Sequence, residues 1–183
     1  PCVSSWEDRC RIQMCQRPQL DVGRGFSQYC AGGGAFCGDS TNVFYDGCGR
    51  LVAVLSDGMG TGGRAAVDGA MTSAMAESLL KAGIGFDSML QTVNSALIAK
   101  SGDESLATMD LACIDLFTGQ TEFRKAGAAC SVVRRGRRSE VIEASSVPVG
   151  IMPGIEFASC QRDLNPGDVI VMVSDGVVAS GNE

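Results

Sequence analysis

Two strongly apolar segments of this 183-residue chain end in the same three residues. Residues 51–55 (LVAVL) and 169–173 (VIVMV) contain no polar side chain, and each segment is followed by Ser-Asp-Gly. A short apolar run without polar alternation is typical of a strand that is buried on both faces. Both segments are therefore predicted to be core strands, and each places a carboxylate, Asp57 or Asp175, at its end.

A third acid lies upstream of the first of these strands. Asp39 comes shortly before the turn sequence at residues 46–49, which predicts a β-hairpin whose second strand is residues 51–55. The hairpin can bring Asp39 close to Asp57. Carboxylates that converge raise one another's pKa unless a cation lies between them. Convergence of Asp39, Asp57 and Asp175 therefore predicts a site for a hard divalent metal ion.

The chemistry of such a site follows from its oxygen ligands and from the composition of the chain. Oxygen ligands favour Mg²⁺ or Mn²⁺, and the chain contains no His, which argues against zinc and against nucleophile pairs that depend on imidazole. A carboxylate shared by two ions can hold a water molecule between them and lower its pKa for in-line attack. The sequence therefore favours metal-dependent phosphoester hydrolysis.

The same motifs are compatible with two alternative roles. Asp-Gly is a common turn sequence, so Asp57 and Asp175 could simply end their strands, although the repeated motif and the upstream acid disfavour this. Residues 58–63 also match the pattern G-x-G-x-x-G of dinucleotide-binding turns. That pattern requires an acid at the end of a second strand about twenty residues later. Here the chain runs through residues 81–83 into another predicted helix.

Charge and cysteine content argue against several further classes. The formal net charge of −6 disfavours a chain that coats nucleic acid or anionic lipid. The nine Cys include no C-x-x-C pair, so neither a zinc ribbon nor a thioredoxin-type redox pair is predicted. Reduced, mostly buried thiols in a cytoplasmic domain are favoured over a disulfide scaffold. The chain also lacks an apolar stretch of about 18 residues, so we predict no membrane segment in it.

The periodicity predicts an α+β fold in a single domain of residues 1–183, of which about 1–25 have no clear assignment. Strands are predicted at 22–29, 42–45, 51–55, 109–117, 121–126, 130–135, 140–143, 155–161 and 169–173, with those between 109 and 143 forming an antiparallel meander. One helix follows the glycine-rich loop and ends near residue 81, and a second is N-capped by Asp87. The first is expected to bury Val67, Ala70, Met71, Ala74, Met75 and Leu79.

Five ordered motifs resemble those of a known phosphatase superfamily. They are Gly38-Asp39-Ser40, residues 56–60 (SDGMG), residues 107–110 (ATMD), residues 147–151 (VPVGI), and residues 164–168 (LNPGD) leading to Ser174-Asp175-Gly176. Together they resemble the motifs of the metal-dependent, protein phosphatase 2C-like (PPM) superfamily. Within that superfamily, they are most similar to those of the bacterial stage II sporulation protein E family. The resemblance implies a central antiparallel β-sandwich flanked by helix pairs, in αββα layers, and a centre with two Mn²⁺ or Mg²⁺ ions that acts on phosphoserine or phosphothreonine in proteins.

The resemblance also implies roles for individual residues. Asp57 would bridge the two ions, the backbone carbonyl of Gly58 would bind one ion, and Asp39 and Asp175 would bind the other ion or orient its waters. These three Asp residues would form the catalytic centre. Arg64, at the start of the first helix, is a candidate for contact with the substrate phosphate, with a neighbouring acid as the alternative partner.

Substrate and location are implied in the same way. The substrate would be a small phosphorylated anti-sigma-factor antagonist, whose dephosphorylation releases a sporulation sigma factor. The full-length relative carries a membrane-spanning region to which nothing in this chain corresponds. The domain would therefore lie in the cytoplasm, and the full-length protein could anchor it to the cell membrane. Nothing in the sequence indicates the oligomeric state.

One departure from the family pattern weakens the catalytic hypothesis. The last metal-binding Asp of the family lies on a strand beyond the second Ser-Asp-Gly, and this sequence ends at Glu183 before reaching it. We therefore expect weak binding of the second ion and slow turnover by this chain, with a last strand missing from the fold. The alternative function is a non-catalytic PPM-like module that binds phosphoproteins. Asp110, within an apolar strand, could support the metal ligands or make a structural hydrogen bond.

Overall fold

The computed structural model describes residues 2–6, 9–12, 16–30, 36–60, 62–100 and 105–180. Its strands are β1 (Cys2–Trp6), β2 (Arg9–Ile12), β3 (Asp39–Tyr45), β4 (Leu51–Asp57), β5 (Met109–Ile114), β6 (Gln120–Ala126), β7 (Ser131–Arg135), β8 (Arg138–Ile142), β9 (Ala158–Asp163) and β10 (Val169–Met172). Its helices are α1 (Gly62–Lys81), α2 (Phe86–Lys100) and α3 (Asp175–Ser180).

Two antiparallel sheets form the centre of the fold. The larger has the strand order β3-β4-β5-β6-β9 and the smaller the order β10-β7-β8. Side chains of both sheets share one buried cluster, which includes Phe123 of β6 and Val133 of β7. The predicted β-sandwich is therefore confirmed. The predicted meander is only partly correct, because the chain leaves the larger sheet after β6 and enters the smaller sheet at β7.

The two apolar segments of the sequence differ in burial. Residues 51–55 form a central strand of the larger sheet, as predicted, but residues 169–172 form the edge strand β10 of the smaller sheet, where Val169 and Val171 are exposed, so their predicted burial on both faces is wrong. All residues of β5 are buried, and Val52 and Val54 of β4 are almost fully buried. The predicted hairpin forms from β3 and β4, in a register that places Tyr45 opposite Leu51 at the turn and Asp39 opposite Asp57 at the other end. The hairpin therefore carries the two acids side by side.

Helices α1 and α2 cover the outer face of the larger sheet, where they join its main core cluster. The predicted buried face of α1 is only partly correct: Met71, Met75 and Leu79 are half-buried and pack against the core cluster, whereas Val67, Ala70 and Ala74 are exposed. The buried residues are instead Ala65, Asp68, Gly69, Thr72, Ser73, Ala76 and Leu80.

Small residues face inward because the backbone of α1 lies directly on the sheet. A methyl group on Gly69 would collide with the carbonyl oxygen of Gly38, and one on Gly58 would collide with the carbonyl oxygen of Ala65. Larger side chains at these positions would push the helix away from the strand ends. Helix α2 begins at Phe86, so Asp87 lies in its first turn and the prediction that Asp87 is the N-cap residue is wrong.

The N-terminal part of the chain differs most from its prediction. Residues 22–29 form no strand and are exposed, and the segment reaches the sheet through side chains: Gln28 donates a hydrogen bond to the Asp39 carbonyl oxygen (2.9 Å). Before it, β1 and β2 pair as a separate two-stranded sheet. None of the helices in the described ranges is long and apolar enough to cross a membrane.

Candidate active site

The three acids singled out from the sequence lie at one end of the sandwich. Asp39 and Asp57 are directly opposite in the β3–β4 register, an arrangement that in antiparallel pairs puts the side chains on one face with Cβ atoms about 5 Å apart. Asp175 begins α3, just after β10 of the other sheet. The hydroxyl of Ser174 donates a hydrogen bond to Oδ2 of Asp39 (3.0 Å), which links the two sheets at this end.

The electrostatics at this end are those of crowded like charges. Partial burial, the negative charges of Asp39 and Asp175, and hydrogen bonds from these two groups raise the pKa of Asp57 to about 7. Asp39 and Asp175 therefore lie close enough to Asp57 to raise its pKa. A bound cation would remove the repulsion that this arrangement otherwise carries.

Thr108 fixes the position of Asp57 through the backbone. The amide of Thr108 donates to the Asp57 carbonyl oxygen (2.7 Å), and the amide of Asp57 donates to Oγ1 of Thr108 (3.2 Å). The hydroxyl of Ser56 donates to the carbonyl oxygen of Thr108 (2.8 Å). The Ala-Thr-Met-Asp motif pointed to this residue, but the sequence did not indicate what it does.

Gly38 and Gly58 leave open the space beside Asp57. A Cβ atom on Gly38 would lie 2.8 Å from Oδ1 of Asp57 and 2.8 Å from the carbonyl oxygen of Gly58. These two oxygens therefore border the same small volume, which only a glycine at position 38 leaves free. Both are hard donors of the kind that Mg²⁺ and Mn²⁺ prefer, so the donor set fits the predicted ions.

The side chains as they stand do not form a complete metal site. Across the described part of the chain, no group of three or more His, Cys, Asp or Glu side chains is arranged so that it could hold a metal ion. A bound ion would therefore need ligands besides these side chains, such as the backbone carbonyl of Gly58 and water. The metal roles of Asp39, Asp57, Gly58 and Asp175 stay predictions.

Comparison with known proteins identifies the family. The family model of stage II sporulation protein E matches residues 47–183, which is more than half of the chain and includes Asp57, Gly58 and Asp175. The chain belongs to the stage II sporulation protein E family. This membership confirms the resemblance inferred from the ordered motifs.

Curated members of the stage II sporulation protein E family are much longer than this chain. The Bacillus subtilis protein is 34% identical over 156 residues, covering 85% of this chain but 19% of its own length. The Priestia megaterium protein is 31% identical over 176 residues, covering 96% of this chain and 30% of its own length. The chain thus spans less than a third of either relative.

Solved structures share the fold. The structure of the PP2C phosphatase domain and a fragment of the regulatory domain of SpoIIE from Bacillus subtilis matches with a TM-score of 0.73 at 34% identity, covering 83% of this chain and 45% of that one. The RsbU and RsbW domains of a Mycobacterium tuberculosis protein match with a TM-score of 0.70 at 25% identity, covering 81% and 41%. The α+β fold of PP2C-like phosphatases is therefore shown.

Arg64 lies beside this family site, but its role is not tested. It is exposed in the first turn of α1, next to Ala65, whose backbone packs against Gly58. The close approach of the helix to the strand ends places the start of α1 at the edge of the site. Contact with a substrate phosphate stays a prediction for this residue.

Proposed function

We propose that this chain is a metal-dependent protein serine/threonine phosphatase that hydrolyses phosphoserine on a protein substrate. The observation that carries the proposal is the position of Asp57, half-buried between two further carboxylates at the end of the sandwich. A protein gains no stability from collecting like charges in this way, whereas divalent ions would convert the cluster into a binding site.

Each residue at the site has a distinct proposed task. Asp57 and the Gly58 carbonyl oxygen would hold one of two Mn²⁺ or Mg²⁺ ions, and Asp57 would share the second with Asp39 and Asp175. When bound, such ions activate water and neutralise charge on phosphoryl oxygens. Thr108 keeps the backbone of Asp57 in place, and Ser174 orients Asp39. Arg64 would bind the phosphate of the substrate at the entrance.

The relatives support this proposal and suggest the substrate. The Bacillus subtilis structure contains a PP2C phosphatase domain, and the Mycobacterium tuberculosis structure contains an RsbU domain. We propose a phosphorylated anti-sigma-factor antagonist of sporulation as the substrate. A cytoplasmic location is proposed with it, because regulators of sigma factors act inside the cell.

A non-catalytic module that binds phosphoproteins is the second candidate. It is favoured by the incomplete metal arrangement of the described acids. The two candidates differ in a direct way: a phosphatase releases phosphate only when Mn²⁺ or Mg²⁺ is added, whereas a binding module retains a phosphoserine protein without releasing phosphate.

The proposal is tested by titrating Mn²⁺ into the wild-type chain and into Asp57→Asn while measuring phosphate release from a phosphoserine protein. We expect Mn²⁺-dependent release by the wild type and a loss of about 100-fold or more in Asp57→Asn. Asp163→Asn is the matched control, since Asp163 is an exposed acid at the end of β9 that lies opposite Gln120, away from the site. Phosphate release that does not depend on Mn²⁺ or on Asp57 would contradict the proposal.

A further inference from the structure

A fourth carboxylate lies inside the sheet beside the candidate site. Asp110 is in the fully buried strand β5, in register with Leu55 of β4 on one side and Lys125 of β6 on the other. Its Oδ2 lies 2.6 Å from Nζ of Lys125, and both side chains are 1% exposed. Burying an ion pair carries a desolvation cost that apolar residues at the same positions would avoid. The pair is therefore a feature that packing alone does not explain.

The contacts of Lys125 are complete. Its ammonium group has three hydrogens, and it donates to Oδ2 of Asp110 (2.6 Å), to the carbonyl oxygen of Ala129 (2.8 Å) and to Oγ of Ser131 (2.8 Å). Ser131 in turn donates to the same Oδ2 of Asp110 (2.5 Å). Two donors thus hold one oxygen of the carboxylate, and the orientation of the whole group is fixed.

The other oxygen of the same carboxylate has no such contact. Oδ1 of Asp110 is buried and has no hydrogen-bond partner among the described residues. Lys125 and Ser131 are both directed at Oδ2. The backbone amide of Leu111 lies close enough to lower the pKa of Asp110, but it makes no hydrogen bond of acceptable geometry to Oδ1. A buried acceptor without a donor is strongly unfavourable, so an unmade hydrogen bond at this position indicates a missing partner.

The missing partner has a place to bind. Asp110 lines a small cleft together with Asp57, Thr108, Ser174 and Asp175, closed on another side by the turn at residues 127–129. The space open to a small molecule is about 40 Å³, which is room for one or a few waters. The cleft therefore brings the Asp110 side chain to the same small space as two of the acids of the candidate site, and a water at Oδ1 would need only a small shift of the closely packed carboxylate.

We propose that Asp110 is a positioning residue whose Oδ1 accepts a hydrogen bond from a water molecule that also donates to Asp57 or Asp175, and that Lys125 and Ser131 hold the carboxylate in this orientation. Water fits because the cleft wall is rich in acceptors, and a donor with two hydrogens can serve two carboxylates at once. The catalytic consequence rests on the proposed phosphatase function: the same water, or one bound to an ion in the cleft, would be oriented by Asp110.

The first test is a crystal structure of the chain grown without metal and again with Mn²⁺. We expect an ordered water about 2.6–3.2 Å from Oδ1 of Asp110 and within hydrogen-bond distance of Asp57 or Asp175. A dry Oδ1, or an Oδ1 that accepts from a protein amide such as that of Leu111, would overturn the proposal. This test does not depend on enzymatic activity.

The second test uses variants that keep the fold. Asp110→Asn can leave its carbonyl oxygen with Lys125 and Ser131 and present an amide donor to the cleft instead of an acceptor. A triple variant, Asp110→Leu with Lys125→Met and Ser131→Ala, replaces the network by apolar groups, a change that is often neutral or stabilising. The matched control is Asp46→Asn, which alters another buried, ion-paired Asp at the far end of the β3–β4 hairpin.

The readouts are Mn²⁺ affinity by calorimetry and steady-state phosphate release. We expect both Asp110 variants to lose about 10- to 100-fold in Mn²⁺ affinity or kcat. KM for the phosphoprotein should stay unchanged, as should Mn²⁺ affinity and kcat in Asp46→Asn. A folded triple variant with wild-type affinity and kcat would show that the network is only structural and would overturn the proposal.

The outcomes separate this proposal from the proposed function. If the wild type binds Mn²⁺ but releases no phosphate, the phosphatase function fails, while the calorimetry still decides the role of Asp110. If the wild type is active and both variants match it, only the role of Asp110 fails. If the wild type binds no Mn²⁺, the presence or absence of an ordered water at Oδ1 in the metal-free crystal structure decides whether Asp110 positions a water.

Discussion

The two ends of the β3–β4 hairpin carry acids in opposite situations. At the turn, Asp46 accepts hydrogen bonds from the amides of Cys48 and Arg50 (both 2.9 Å) and pairs with the Arg50 guanidinium (2.8 Å). At the open end, Asp57 meets two other carboxylates, and its pKa is raised to about 7. The same hairpin therefore contains one acid that stabilises the fold and one that destabilises it until something binds.

Asp110 shares one feature with each of these two acids. Its Oδ2 is held by Lys125 and Ser131, as the carboxylate of Asp46 is held by its turn, whereas its Oδ1 lacks a partner, as expected of an acid that faces a ligand. An acid whose oxygens all have hydrogen-bond partners within the protein has a structural role. An acid beside a cleft with an oxygen that lacks a partner is a candidate for a functional role. The following predictions test that distinction, from the largest expected effect to the smallest.

Lys125→Met should have the largest effect on stability. It leaves Asp110 as a buried charge without its cation, and breaking a buried pair in this way costs about 3–5 kcal/mol in the free energy of unfolding. Burial already raises the pKa of Asp110, and Lys125 opposes that rise. The loss should therefore be smaller at acidic pH, where Asp110 can take up a proton.

Urea denaturation at pH 5 and pH 8 measures this effect. The triple variant that replaces Asp110, Lys125 and Ser131 by apolar residues is the comparison, and it should recover most of the stability that Lys125→Met loses. A single variant as stable as the wild type at pH 8 would show that Lys125 does not compensate the charge of Asp110.

Mn²⁺ should stabilise the wild type by mass action. A ligand that binds only the folded state at 100 times its Kd adds about 2.7 kcal/mol to the free energy of unfolding. Asp57→Asn should gain much less, because the central carboxylate of the site is gone. Thermal unfolding with Mn²⁺ and with excess chelator measures the difference, with Asp163→Asn as the control that should behave as the wild type. Equal gains in Asp57→Asn would place the ion elsewhere.

Asp46→Ala should destabilise the chain by about 1–3 kcal/mol, because it leaves the turn amides and the Arg50 guanidinium without their acceptor. Asp46→Asn keeps one carbonyl oxygen as an acceptor and should lose less. Urea denaturation of both variants gives the order. If Asp46→Ala is no less stable than Asp163→Ala, the turn does not depend on this carboxylate, and the contrast with Asp57 fails.

The sequence predicts the parts of this comparison that depend on local patterns. The turn at residues 46–49 and the apolar run before Asp57 suffice to predict the hairpin, and the second apolar run suffices to predict a strand shortly before Asp175. Its predicted burial is wrong, because β10 lies at the edge of the smaller sheet. Family motifs then supply roles for Asp39, Asp57 and Asp175. The expected convergence of the acids follows from these few features, whereas the strand order of the two sheets does not, because the chain changes sheet between β6 and β7.

Contacts between distant segments are beyond such patterns. That Asp110 lies opposite Lys125 depends on the register of β5 and β6, and the part of Thr108 in holding Asp57 depends on backbone geometry. The buried face of α1 could not be predicted from hydrophobic periodicity, because close backbone contact at Gly69 selects small residues rather than apolar ones. Residues 22–29 are predicted to form a strand, yet they contact the edge strand β3 through the side chains of Arg24 and Gln28 rather than by backbone pairing.

The smallest effect concerns pH. In the metal-free fold the pKa of Asp57 is about 7, above its value of about 3.9 in an unfolded chain. Below pH 4 both states are protonated and the stability is fully present; between pH 4 and 7 the unfolded state loses the proton first, so stability falls as pH rises. Because Asp57 is half-exposed, solvent screening limits the loss to about 1–2 kcal/mol.

Asp57→Asn removes this titration, so it isolates the contribution of the charge. In chelator, the variant should match the wild type near pH 4 and exceed its free energy of unfolding by about 1–2 kcal/mol at pH 8. Asp163→Asn should show no such divergence. If the free energies of unfolding of Asp57→Asn and wild type differ by the same amount from pH 4 to pH 8, Asp39 and Asp175 do not raise the pKa of Asp57. In that case the two ends of the hairpin would be electrostatically alike.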